Sequence, residues 1–81
     1  MNLIKIYINN LTKEESDRFL KNNDIFLSND ELEYLYNKVR NNYEDIIKED
    51  KNILEDIKNN IDKDNYNKLY MLFKEYKKKY L

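Results

Sequence analysis

Apolar positions fall in five runs, separated by four Asn-Asn doublets at 9–10, 22–23, 41–42 and 59–60. The chain has no glycine and no proline, so another residue must end its helices. Asparagine is the usual second choice at the left-handed position after a helix C-terminus, and the doublets mark the expected boundaries. Leu3, Ile4, Tyr7, Ile8 and Leu11 share a helical face. Ile4, Ile6 and Ile8 also alternate as in a strand, but no second strand is present to pair with it, and helix is preferred. Phe19 and Leu20 mark a weaker helix. Leu32, Leu35, Tyr36 and Val39 form a clean stripe, and Tyr66, Leu69, Tyr70, Phe73, Tyr76 and Tyr80 form a long one.

Start signals agree with these cuts. Thr12-Lys13-Glu14-Glu15 and Ser28-Asn29-Asp30-Glu31 read as capping boxes, in which hydroxyl and carboxylate each take one orphan amide. Asp62 or Asp64 can cap the last helix. Residues 43–61 fit either one long helix or two short ones broken at Lys48-Glu49-Asp50-Lys51; the break, with Asp50 capping the second piece, is preferred. Ile25, Phe26 and Leu27 lie in a connection and should fold back into the core. The expected architecture is all-α, a compact bundle of four to five short helices forming one domain over residues 1–81.

Composition narrows the picture. Leu, Ile, Val and Phe make up 23 of the 81 residues, enough for a modest core but not for one with a deep pocket inside it. The eight tyrosines add large, partly polar surface. The missing Gly, Pro and Ala beside abundant Asn, Lys, Ile and Tyr match the codon usage of an AT-rich genome, such as that of a low-GC bacterium. Without cysteine, disulfides, thiolate metal sites and thiol nucleophiles are excluded. Residues 3–8 are too short and too interrupted for a signal peptide, and no run of about 18 apolar residues exists to span a membrane. A cytoplasmic location is expected.

The chain carries little catalytic chemistry. There is no histidine, the usual acid-base near neutrality. Thr12 and Ser28 are explained as caps, and Ser16 has no base beside it. Paired carboxylates remain the one route to a hydrolase, and mixed charge on helix faces explains them better as solvated groups. Asp62-Lys63-Asp64 begins like a calcium loop but lacks the required glycine and terminal glutamate. No catalytic, cofactor or metal site is expected.

Two surfaces could meet a partner. The formal net charge is −1, yet residues 44–56 hold six acids against two lysines, and residues 74–81 hold four lysines against one glutamate. The candidate partner-binding residues are Tyr76, Lys77, Lys78, Lys79 and Tyr80, a mixture of cations and aromatics that can grip phosphates and stack bases. The same residues also complement the helix dipole and continue the apolar stripe. A helix-turn-helix over residues 12–41 is disfavoured, because Asp30, Glu31 and Glu33 would face phosphates. The reading is therefore a protein-interaction or regulatory module, binding a protein partner or a second copy of itself through a tyrosine-rich charged helical surface. The alternative is a nucleic-acid-binding accessory protein using the basic C-terminal helix.

The stretches Ile8 to Glu15, Ile25 to Glu31 and Leu69 to Phe73 resemble the YqfT-like family of short proteins from low-GC Gram-positive bacteria, a family of unknown function. The shared features are a leading helix, an Ile-Asn-Asn-Leu-Thr cap, a second capped helix and a closing aromatic helix. Asn41 and Asn42 stand where that family has a glycine. The resemblance implies a compact helical domain and assigns no active residue.

Overall fold

The structure, a computed structural model, describes the backbone of residues 3–80 and the side chains of residues 5–79. Six helices follow one another: α1 (Leu3–Asn10), α2 (Lys13–Asn22), α3 (Asn29–Asn41), α4 (Tyr43–Ile47), α5 (Lys51–Asn60) and α6 (Lys63–Tyr80). The all-α class expected from the apolar spacing is what forms. Residues 43–61 break as preferred, the first piece forming a five-residue helix, which brings the count to six. The alternating isoleucines of residues 4–8 sit on α1, not on a strand.

Both capping boxes form. Thr12 Oγ1 accepts the Glu15 amide at 3.0 Å, and Glu15 Oε1 accepts the Thr12 amide at 3.1 Å. Ser28 and Glu31 repeat the arrangement at the start of α3. Asp50 caps α5 by accepting the Ile53 amide at 3.0 Å. Asp62, the nearer of the two acids considered, caps α6, its Oδ2 accepting the amides of Asp64 and Asn65.

The asparagine doublets end helices by a route different from the one expected. None of them takes the left-handed conformation; among the described residues, those with positive φ are Asp24 (63°) and Glu49 (57°). Instead, the second asparagine of three doublets turns its side-chain amide back onto the helix. Asn23 Nδ2 donates to the Phe19 carbonyl at 2.9 Å, Asn42 Nδ2 to Lys38 at 3.2 Å, and Asn60 Nδ2 to Asp56 at 2.8 Å. Each bond adds a side-chain donor to a carbonyl near the C-terminus of its helix, and the Lys38 carbonyl also accepts the Asn42 amide.

Asp24 and Glu49 each close a Schellman motif. The Ile25 amide donates to Leu20 O at 2.9 Å and the Asp24 amide to Lys21 O at 3.0 Å. This 6→1 and 5→2 pair brings the residue after the turn against the last helical turn. Ile25 and Leu20 are accordingly both in the core, with Ile25 only 1% exposed. At the end of α4, Asp50 N donates to Asp45 O and Glu49 N to Ile46 O, both at 2.9 Å. Asp50 thus ends one helix through its amide and starts the next through its carboxylate.

Leu20, Ile25, Leu32, Leu35, Ile57 and Ile61 form the buried cluster. It is contributed by α2, α3, α5 and two connections, while α6 packs on it through half-buried Tyr66, Leu69 and Leu72. Polar ties fix the helices around it. Asp56 on α5 receives the Tyr34 hydroxyl and Lys38 Nζ from α3, both at 2.6 Å. Glu31 Oε2 receives the Asp62 amide at 2.6 Å, joining the start of α3 to the start of α6. The Tyr36 hydroxyl donates to Leu11 O at 2.8 Å, and Lys5 pairs with Glu44 at 2.9 Å, holding α1 and its turn.

Some expected core positions are exposed. Phe26 is 59% exposed, because the Schellman turn directs Ile25 inward and leaves the next side chain facing out. Tyr7, placed on the α1 apolar face, is also exposed. Leu3, Ile4 and Tyr80 lie outside the described side chains.

Candidate partner-binding site

The C-terminal half of α6 divides into two faces. Lys74 Nζ lies 2.8 Å from Glu49 Oε1 and Lys77 Nζ 3.0 Å from Glu49 Oε2, while the Tyr70 hydroxyl donates to Oε1 at 2.8 Å. Residues 70, 74 and 77 are one helical turn apart and share a face. The left-handed turn at Glu49 is what aims its carboxylate at them. Lys74, Lys77 and Tyr70 together hold the Glu49 carboxyl down at about 2, with the Lys74 bond the largest cause. Half of the local basic charge is thus committed within the molecule.

Lys78 and Lys79 are exposed, and no described carboxylate pairs with either. Tyr76 is 43% exposed, and its ring meets Phe19 of α2 edge-on at 5.8 Å between centroids. Of the five sequence-derived candidates, Tyr76 and Lys77 are therefore brought to a shared feature with other helices. Lys78 and Lys79 are not part of its lining, and the Tyr80 side chain is not described.

That shared feature is an apolar cavity of about 620 Å³ lined by residues of all six helices. A deep pocket was not expected from a chain of this length. The apolar stripes of all six helices contribute to its wall. Along α6, Tyr66 and Tyr70 stack at 6.1 Å, and Phe73 follows at 6.3 Å from Tyr70. Leu35, Val39, Ile46, Leu54 and Leu69 supply aliphatic wall. Burial raises the pKa of Tyr66 above the ordinary tyrosine value.

Four lining residues are exposed and mark where the cavity opens: Tyr7, Phe19, Arg40 and Tyr76. Arg40 lies over the Tyr36 ring at 5.3 Å and donates to the Tyr36 hydroxyl at 2.9 Å. No described carboxylate pairs with it. The lining contains two cations, Arg40 and Lys77, and no acid. Its serine, Ser16, spends its hydroxyl on the Thr12 carbonyl at 2.9 Å. The arrangement offers contact surface and positive charge, without a nucleophile held against a base.

No family model, curated protein or solved structure matches this chain.

Sequence reasoning missed Tyr7, Phe19 and Arg40 as site residues. Tyr36 and Arg40, four apart on a predicted helix, were the available signal for a cation held on a ring. Nothing in the spacing marked Glu49 as the acid that claims Lys74 and Lys77. Among the described residues, no three His, Cys, Asp or Glu side chains group as metal ligands, and no helix is long and apolar enough to cross a membrane.

Proposed function

We propose that this protein is a non-catalytic interaction or regulatory module, acting in the cytoplasm. It meets a protein partner through the aromatic rim Tyr7, Phe19 and Tyr76 with the neighbouring cations of α6. The observation that carries the reading is that three exposed aromatic side chains from three helices line one cavity. Aromatic anchors flanked by charge are the side chains that dominate binding energy at protein interfaces. The fitting partner surface is apolar at its centre and acidic where it meets Arg40, Lys78 and Lys79. The likeness in caps and spacing to YqfT-like proteins supports a helical domain and adds no site residue.

Nucleic-acid binding through α6 is the second reading. It draws mainly on Lys78 and Lys79, since Lys74 and Lys77 are held on the single Glu49 carboxylate, and so few free cations give little counterion release.

Site-specific photocrosslinking in the native host tests the proposal. A crosslinker at Phe19 or Tyr76 should yield one protein adduct that disappears in the Lys78→Glu/Lys79→Glu variant. A crosslinker at Phe26 or Met71, both exposed and away from the cavity, should yield none. Equal adducts from all four positions refute the rim as the interface, an adduct of doubled mass makes the partner a second copy, and crosslinks to RNA or DNA favour the second reading.

A further inference from the structure

The cavity behind the rim calls for an occupant of its own. Its volume of about 620 Å³ falls in the range of about 300–1,000 Å³ typical of small-ligand sites, which are mostly apolar with a few placed polar groups. An alkyl chain is slender enough to lie within a space of that size.

The charge on the lining sets the head group. Sixteen acids are present in the chain, yet none reaches the cavity wall, whereas Arg40 and Lys77 do. Lys77 is committed to Glu49. Arg40 is held in place by the Tyr36 ring and hydroxyl and has no carboxylate partner among the described residues. It is exposed, so it stands where the lining meets water. A guanidinium fixed at the edge of an apolar chamber is complementary to a carboxylate at the end of a hydrocarbon chain, since planar bidentate pairing with carboxylates is the geometry arginine favours.

We propose that the cavity binds a single fatty acid, with the alkyl chain among Leu35, Leu54, Leu69 and Phe73 and the carboxylate on Arg40. Because Tyr7, Phe19 and Tyr76 form both the cavity mouth and the rim, occupancy would set the shape of the surface offered to a partner. The proposal stands whether or not the partner reading does, because it is measured on the purified chain alone.

The test is calorimetric titration of the full chain with octanoate, decanoate and dodecanoate, and with 1-decanol as an uncharged chain. The expected result is one site per chain, with affinity rising about fourfold per added methylene. Decanoate should bind about tenfold tighter than 1-decanol, and Arg40→Gln should abolish that preference while leaving 1-decanol binding unchanged. Arg40 is a surface residue outside the buried cluster, and a thermal melt checks that the variant is folded. In ¹³C spectra, decanoate should shift the methyls of Leu35, Leu54 and Leu69 and leave Ile25 and Ile61 in place. Absence of saturable binding overturns the proposal, as do several equivalents per chain, equal affinity for acid and alcohol, or an unchanged Arg40→Gln. Light scattering that shows a dimer with the lining methyls in subunit contact also overturns it, since a second copy then fills the space.

Discussion

Removing the Glu31 carboxylate should destabilise the fold by more than a helix cap alone is worth. Glu31 Oε1 accepts the Ser28 amide at 3.0 Å, completing the capping box, and Oε2 accepts the Asp62 amide at 2.6 Å from 31 residues away. Hydrogen bonds to charged groups contribute about 1.5–3 kcal/mol in general. Glu31 is partly solvated, so the lower end applies, and Glu31→Ala should cost about 2–3 kcal/mol. For a domain of this size that lowers Tm by about 10–20 °C. Ser28→Ala removes one hydroxyl contact, at 3.2 Å, and should cost about 1 kcal/mol. The backbone bonds from Asp62 and Ser28 hold the Glu31 carboxyl below its ordinary 4.5, so its contribution is full above pH 4.5 and fades as pH falls through the lowered folded value. Urea melts of wild type, Glu31→Ala and Ser28→Ala at pH 7 and pH 3 decide the matter. Equal costs for Glu31→Ala and Ser28→Ala at pH 7 would show that the link from α3 to α6 carries nothing, and an undiminished Glu31→Ala cost at pH 3 would show that the carboxylate charge is not its source.

Three further outcomes are expected. Asp24→Gly should stabilise the protein by up to about 1 kcal/mol, because glycine avoids the cost of the left-handed turn at φ 63°; urea melts check it, and a destabilised variant would show that the Lys68 ion pair with the Asp24 carboxylate outweighs the backbone cost. Glu49→Gln should loosen the end of α6, read as faster amide hydrogen exchange at residues 70–79, with the wild type approaching the variant as pH falls from 4.5 towards 2; unchanged exchange would remove Glu49 as the anchor. Burial and the bond to Asp56 push Tyr34 up to about 12, so its stabilising effect is full below pH 10 and lost as pH rises through 12; ultraviolet titration should show a late-ionising tyrosine that Asp56→Asn moves earlier, and uniform ionisation near 10 would contradict the contact.

Local structure was legible in the chain where one side chain satisfies one backbone group. Thr12, Ser28, Asp50 and Asp62 cap the helices they were expected to cap, because an oxygen one residue before a helix has few other uses. The doublets marked helix ends correctly, although the asparagines work through side-chain amides and leave the left-handed turns to Asp24 and Glu49. Composition offers no way to see this, since a Schellman turn is set by how the following residue packs, here Ile25 on Leu20. Tertiary features were hidden for a related reason. Periodicity identifies the apolar face of α6 and its packing on the core through Tyr66 and Leu69, but not that the same face, with Phe73, also lines a cavity. The basic run at 74–79 likewise read as one patch, until a carboxylate about 25 residues upstream divided it.

The cavity is the feature on which the functional account depends, and dissolved oxygen tests it without any assumed ligand. Dioxygen partitions into apolar space and speeds relaxation of nearby methyl groups. Under oxygen pressure, the methyls of Leu35, Leu54 and Leu69 should relax markedly faster than those of Ile25 and Ile61, which are buried but away from the cavity lining. Equal rates for the two sets would show a filled core, and the rim would then open onto nothing.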